Sequence, residues 1–277
     1  MTPISSPQNL RIKQLRALRS RKERERSGRL FIEGVQLVAA AVDHGAQLEL
    51  LVLAPDLLRS PVGRDLARSL RASVPCLEVT PRVFASLASR EDAQGIGAVV
   101  RQRWTSLERI PVADTRCWVA LDGVQYPGNL GTILRSSDAA GGGGAILLGA
   151  TADPYDPQAV RASTGTIFAQ GLARATAERL AGWARQRGAL VIGAAPGASL
   201  DYRLARYEAP VVVALGSEGH GLSRDVLALC DELVRIPMVG GADSLNLAVA
   251  AGLLLYEVFR QQRPLEQGRA LGAAVAE

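Results

Sequence analysis

Residues 211–223 read VVVALGSEGHGLS, residues 230–238 read CDELVRIPM, and residues 240–261 read GGADSLNLAVAAGLLLYEVFRQ. The first stretch opens with β-branched residues and stops at Gly216, the pattern of a strand buried on both faces. Open parallel sheets bind ligands at the carboxyl ends of their strands, so the loop that follows is the place to look for a site. There Gly216, Gly219 and Gly221 surround one carboxylate, Glu218, and let the backbone turn tightly and approach a ligand with no Cβ in the way. A second strand, ELVRIP, ends at Pro237. Met238, Gly240 and Gly241 after it can neither continue a ladder nor start a helix. Ser244 then stands where an N-cap belongs, ahead of an amphipathic helix marked by Leu245, Leu247, Val249, Leu253, Leu254, Val258 and Phe259.

Working outward, the 277 residues suffice for one large or two ordinary domains, and the composition shifts favour two. With 48% hydrophobic and 4% aromatic residues, the chain reads as an Ala/Leu/Val-rich α/β protein. No apolar run approaches the ~20 residues of a membrane span and the amino terminus lacks an apolar signal core, so a cytoplasmic location is expected. Cys76, Cys117 and Cys230 are odd in number and far apart, and His44 and His220 share no ligand spacing. Neither a disulfide framework nor a metal site is expected.

The strand CWVALDGV is followed by QYPGNLGTILRSSDAAGGGG, in which Leu130, Ile133 and Leu134 mark one face of a helix. Asn129 has an ordinary reading as an N-cap and Arg135 as a surface cation. The run Gly141 to Gly144 follows the helix instead of linking a strand to one, which argues against a dinucleotide-binding loop. AILLGA, the crossover helix AERLAGWARQRG and the strand ALVIGAA complete a mostly parallel sheet with helices on both faces.

The net charge of +5 is localised. Residues 10–29 carry nine of the 32 Lys and Arg but two of the 27 acids, and the rest of the chain is slightly negative. Ser6 and Pro7 read as a helix start, with Leu10, Leu15 and Leu18 as an apolar seam and the cations on the back. A solvated face mixes signs, whereas this excess suits a polyanion such as RNA. Alternating short strands and helices then run to about residue 102, a small α/β layer without convergent nucleophiles or acids. The division expected is 1–102 for RNA binding, 103–115 as a linker, 116–263 as the second domain, and 264–277 as a disordered tail.

Three stretches in order, N-x-G-x-x-x-R at Asn129 to Arg135, G-x-E-G-x-G-L at Gly216 to Leu222, and I-P-M with S-L-N at Ile236 to Asn246, resemble the three motifs of the SPOUT methyltransferases. The branch is TrmH (SpoU), which methylates ribose 2′-hydroxyls. The resemblance covers about residues 7–262. It implies an amino-terminal L30e-like domain that grips RNA, a carboxyl-terminal trefoil knot, S-adenosyl-L-methionine as cofactor, and a homodimer with its sites at the subunit interface. The stretch RKERERSGRLFIEG resembles the opening of the RNA-binding domain, giving Lys22, Arg24 and Arg29 as phosphate contacts. YDPQAVRASTGT resembles the segment crossing the substrate face, giving Arg161 and Ser163.

Cofactor contacts fall by the same resemblance on main-chain groups at Leu215, Gly216, Gly219, Ile236, Met238 and Leu245. Catalysis falls on Asn129, Arg135, Glu218, Ser244 and Asn246. The family's motif-one arginine is proposed as the base for the 2′-proton. A guanidinium with a pKa above ~12 is a poor proton acceptor, so Arg135 is read as stabilising the developing alkoxide. Glu218 would hold Arg135 or Asn129, and Ser244 with Asn246 would orient the ribose and its phosphate. The long arm and separate first domain favour 23S ribosomal RNA over a transfer-RNA 2′-O-methyltransferase. A non-catalytic RNA-binding protein with a decayed methyltransferase domain is opposed by the intact polar set. A nucleotide-dependent oxidoreductase is opposed by the absence of a strand-G-x-G-x-x-G-helix order.

Overall fold

The computed structural model describes residues 3–88, 92–110 and 117–263. Two helices lead, α1 (Leu10–Ala17) and α2 (Arg21–Ser27). They are followed by β1 (Arg29–Glu33), α3 (Val35–Asp43), β2 (Leu48–Leu53), α4 (Pro61–Arg71), β3 (Cys76–Glu78), α5 (Pro81–Leu87) and β4 (Ile96–Arg101). The four strands form a sheet in the order β1-β4-β2-β3, antiparallel at β4 and parallel between β2 and β3. Helix α1 is capped by Asn9, whose side chain accepts from the Arg11 amide, so the start expected at Ser6 lies three residues later. Leu10 is 70% exposed and the buried seam is Ile12, Leu15 and Leu18.

The second layer comprises β5 (Cys117–Asp122), α6 (Pro127–Ala139), β6 (Gly144–Leu148), α7 (Pro157–Ala162), β7 (Gly171–Ala175), α8 (Ala177–Arg187), β8 (Leu190–Ala194), β9 (Leu200–Asp201), β10 (Val211–Gly216), α9 (Arg224–Leu229), β11 (Glu232–Arg235) and α10 (Leu247–Gln262). Its seven strands pair in parallel in the order β7-β6-β5-β10-β8-β11-β9. The late strands β10 and β11 thus lie between earlier ones. Along β5 the side chains alternate: Cys117, Val119 and Leu121 join one apolar cluster, Trp118 and Ala120 the other. The first cluster runs without a break from the large sheet into the small one, through Tyr155, Ile167 and Phe168. In the stretch read as a linker, Leu107 and Ile110 are buried in the second cluster; residues 111–116 and the tail from 264, read as disordered, lie outside the described residues.

The glycine run after α6 is a packing device. A Cβ on Gly143 would lie 2.5 Å from the Trp118 indole nitrogen, and one on Gly144 1.9 Å from the Gly171 carbonyl oxygen. The space these glycines leave is filled by a tryptophan and a neighbouring strand. At α10 the cap is Asn246, whose Oδ1 accepts from the Ala248 amide; Ser244, expected there, stands two residues ahead in the loop.

Candidate active site

Strand β10 is buried from end to end between β5 and β8, so the loop after Gly216 opens at the carboxyl edge of the sheet, near its middle. A Cβ on Gly216 would sit 1.9 Å from the Gly221 carbonyl carbon, because the loop folds straight back over the strand end. Paired backbone bonds hold that return: Ser217 donates to Gly221 at 3.1 Å and Gly221 to Ser217 at 2.9 Å. Gly221 takes φ of 65°, the left-handed region. The Ser223 amide donates to Asp122 Oδ2 at 2.7 Å, which ties the loop to the end of β5. Gly219, by contrast, borders open space.

A chain of side-chain hydrogen bonds joins the three motifs. Asn129 Nδ2 donates to Glu218 Oε1 at 2.5 Å, and Asn246 Nδ2 donates to Asn129 Oδ1 at 3.1 Å. Since Asn246 Oδ1 caps α10, its Nδ2 is turned toward Asn129, whose own Nδ2 is left for the carboxylate. Asn129 itself is the third residue of α6, not its cap, and is free for this bond. Of the two partners expected for Glu218, Asn129 is the one it holds. Arg135 lies on the exposed side of α6, six residues further along.

Beside this chain is a cavity of about 580 Å³. Leu215, Gly216, Gly219, Ile236, Met238 and Leu245 all line it, as do Glu218, Ser244 and Asn246. The sequence reading missed Ala194, Ala195 and Pro196, which close it from the end of β8. Only the pairing of β8 with β10, which the fold shows, brings that strand end to the cavity. The volume falls within the ~300–1,000 Å³ of small-molecule sites. Its lining mixes apolar residues with Glu218, His220, Arg235 and Asp243, so that apolar walls can take a flat ring system and the two carboxylates a sulfonium cation. The glycine turn at Gly216 supplies backbone at close approach. S-adenosylmethionine fits this set of residues.

Two RNA contacts expected from the sequence are overturned by burial. Arg24 is 1% exposed, with its guanidinium bonded to Asp153, Asp156 and the carbonyls of Leu18 and Arg19. Ser163 is fully buried and donates to the Val160 carbonyl. Arg29 pairs with Glu49, which Arg101 also holds. Burial works against the Glu49 charge, but the hydrogen bonds from Arg101 and Arg29 outweigh it and keep its carboxyl below the usual range. Lys22 and Arg161 are exposed.

A parallel sheet with a cofactor-sized cavity over its central strand ends, flanked by an amide–carboxylate chain, is an α/β fold with a small-molecule site at the carboxyl edge of its sheet. Residues 116–256 match the SpoU rRNA Methylase family and residues 9–98 match the MRM3-like substrate binding domain. The chain is 34% identical over 262 residues to the 23S rRNA (uridine(2479)-2′-O)-methyltransferase of Streptomyces viridochromogenes, covering 92% of this chain and 91% of that one. It is 30% identical over 261 residues to the 23S rRNA (guanosine(2553)-2′-O)-methyltransferase RlmP of Bacillus subtilis, covering 93% and 99%. Among solved structures, the AdoMet-bound rRNA methyltransferase from Sinorhizobium meliloti superposes with a TM-score of 0.86 at 37% identity, covering 94% and 97%. The protein belongs to the SpoU rRNA methylase family.

Proposed function

We propose that the protein transfers a methyl group from S-adenosylmethionine to a ribose 2′-hydroxyl of 23S ribosomal RNA. The observation that carries this reading is the Glu218–Asn129–Asn246 chain lying against the cavity, with one member drawn from each of the three motifs. Two full-length relatives named as 23S rRNA 2′-O-methyltransferases support the substrate class, and their differing bases, uridine and guanosine, agree with chemistry directed at ribose.

When bound, the cofactor would supply an electrophilic methyl on a sulfonium for the 2′-oxygen, with the sulfur leaving as a neutral thioether and the hydroxyl proton passing to solvent. Leu215, Gly216, Gly219, Ile236, Met238 and Leu245, which line the cavity, would hold it chiefly through backbone. Ser244 and Asn246 orient the ribose and its phosphate, and the Asn129 amide is locked by Glu218 and Asn246 so that no reorganisation is needed on binding. To Arg135, exposed on α6 and outside the cavity lining, we assign the stabilisation of the 2′-oxygen as negative charge develops there. Lys22 and Arg161 supply phosphate contacts.

Val249, Leu253 and Tyr256 are exposed at spacings of four and three on α10, a single apolar stripe along the helix. We assign that stripe to a homodimer interface. Methyl transfer from labelled cofactor to total RNA, with products sized and digested to nucleosides, tests the whole reading. Label in a 2′-O-methylnucleoside of the large ribosomal RNA is expected; absence of label from every RNA despite cofactor binding would overturn it. Arg135→Ala should lower the rate by about 100-fold or more with cofactor affinity unchanged.

A further inference from the structure

Several cations of the basic arm are engaged within the protein, although most of them remain exposed. Arg16 donates to the Pro7 carbonyl and Ser86 Oγ, Arg19 to the carbonyls of Leu87 and Ala88, and Arg21 to the Thr151 carbonyl and Glu25. At its centre Arg24 spans two parts of the molecule. Nη1 donates to the carbonyls of Leu18 and Arg19 at 3.0 and 2.6 Å, closing the end of α1. Nε donates to Asp153 Oδ2 at 2.8 Å and Nη2 to Asp156 Oδ2 at 3.3 Å, in the loop that leads into α7.

Both aspartates divide their oxygens in the same way. Asp153 gives Oδ2 to Arg24 and Oδ1 to the Tyr155 amide at 2.9 Å. Asp156 gives Oδ2 to Arg24 and Oδ1 to the Gln158 amide at 2.9 Å, which caps α7. One guanidinium therefore fixes two carboxylates that in turn fix the loop backbone. A planar fork with donors on several edges does this; a lysine ammonium offers one point of charge.

From α7 the contact continues into the site. A Cβ on Gly131 would fall 2.1 Å from the Ala159 carbonyl oxygen and 2.8 Å from the Ala162 Cβ, so α6 and α7 touch backbone to backbone. Gly128 faces the Gln158 side chain, whose Nε2 would lie 3.5 Å from a Cβ placed there. Asn129 sits between these two contact points, and its amide holds Glu218. The path from Arg24 to the Asn129 amide therefore runs through the backbone contact of Gly131 with Ala159.

We propose that Arg24 is a positioning residue for methyl transfer: by seating the arm on Asp153 and Asp156 it sets α7, and through the close α7–α6 packing it sets the turn that carries Asn129. The RNA-binding layer and the catalytic turn then share one buried node, so that the arm places the substrate layer and the amide together. The effect on rate rests on the function proposed above; the effect on local order does not.

Hydrogen exchange on the full chain separates the two. In Arg24→Met, the Gln158, Val160 and Leu130 amides should exchange about tenfold faster or more, while the Val213 amide in β10 keeps its protection. Unchanged exchange at α7 and α6 would overturn the proposal even if no RNA is methylated. With the rate measurable, kcat should fall about tenfold while KM for S-adenosylmethionine stays within about twofold. Combined with Asn129→Ala, Arg24→Met should lower kcat no further, because the two act through one turn. Multiplicative losses would mean that Arg24 only stabilises the fold. If Arg24→Met does not fold, Arg24→Lys is read by the same criteria, with intermediate exchange expected and parental exchange overturning the idea.

Discussion

Gly216 and Gly219 stand three residues apart in one loop, yet a methyl group means different things at the two. At Gly216 it would collide with the Gly221 backbone at 1.9 Å, and neither the buried strand nor the hydrogen-bonded return can move away. Gly216→Ala should cost about 1–3 kcal/mol of stability and abolish measurable binding of S-adenosylmethionine. At Gly219 the same methyl enters open space, so Gly219→Ala should change stability by less than about 0.5 kcal/mol. Calorimetric titration and thermal unfolding of the pair decide the matter; equal effects would mean that the loop is not held as described. The cysteines give a second test at this scale. Burial pushes the Cys117 thiol up to about 12, against a hydrogen bond at Val213, and burial with the nearby Asp231 charge pushes Cys230 up to about 11. Their folded values lie above the ordinary 9.0, so the native state favours the neutral thiol. That contribution is complete below pH 9, and it is lost as pH rises through 11 to 12. A disulfide reagent at pH 8 should therefore react slowly with both thiols in the native protein and quickly in denaturant. Native thiols as reactive as the unfolded ones would contradict the burial.

Helix α10 turns one face to the core and one outward, and adjacent leucines fall on opposite sides. Leu254 is fully buried, whereas Leu253 is 38% exposed beside Val249 and Tyr256. Leu254→Ala should cost about 2–5 kcal/mol with no change of oligomeric state. Leu253→Glu should leave the unfolding midpoint nearly unchanged and convert a dimer to a monomer in sedimentation; a parent chain that is already monomeric would refute the interface. The helix was legible in the sequence from its period, and its start was misread by two residues. Ser244 and Asn246 are both good caps, and only the fold shows that Asn246 divides its amide between the Ala248 amide and Asn129. Buried strands such as β10 announce themselves by β-branched runs bounded by glycine, whereas the cavity lining at Leu215, Ile236 and Leu245 came within reach through the resemblance to the SPOUT motifs. Ala194 to Pro196 were not singled out, because alanines at a strand end carry no chemical signature of their own.

Across the whole molecule, what the sequence showed of the arm was its charge, and what it hid was the charge's destination. The residues that neutralise Arg24 lie about 130 positions away, at Asp153 and Asp156, and no local pattern pairs them. An unbalanced run of cations reads alike whether it meets RNA or a distant acid, so excess charge alone overstated the free surface at Arg24. The salt dependence of RNA binding separates these uses. Each neutralised phosphate releases counterions and adds about one unit to the slope of log affinity against log salt, while a cation spent inside the protein adds none. Lys22→Ala and Arg161→Ala should each lower that slope by about one unit and weaken binding alike for all RNA sequences. Filter binding from low to moderate salt measures it. If either variant binds more weakly with the parental slope, that residue supports the fold instead of touching phosphate, and the RNA path must run elsewhere over the protein.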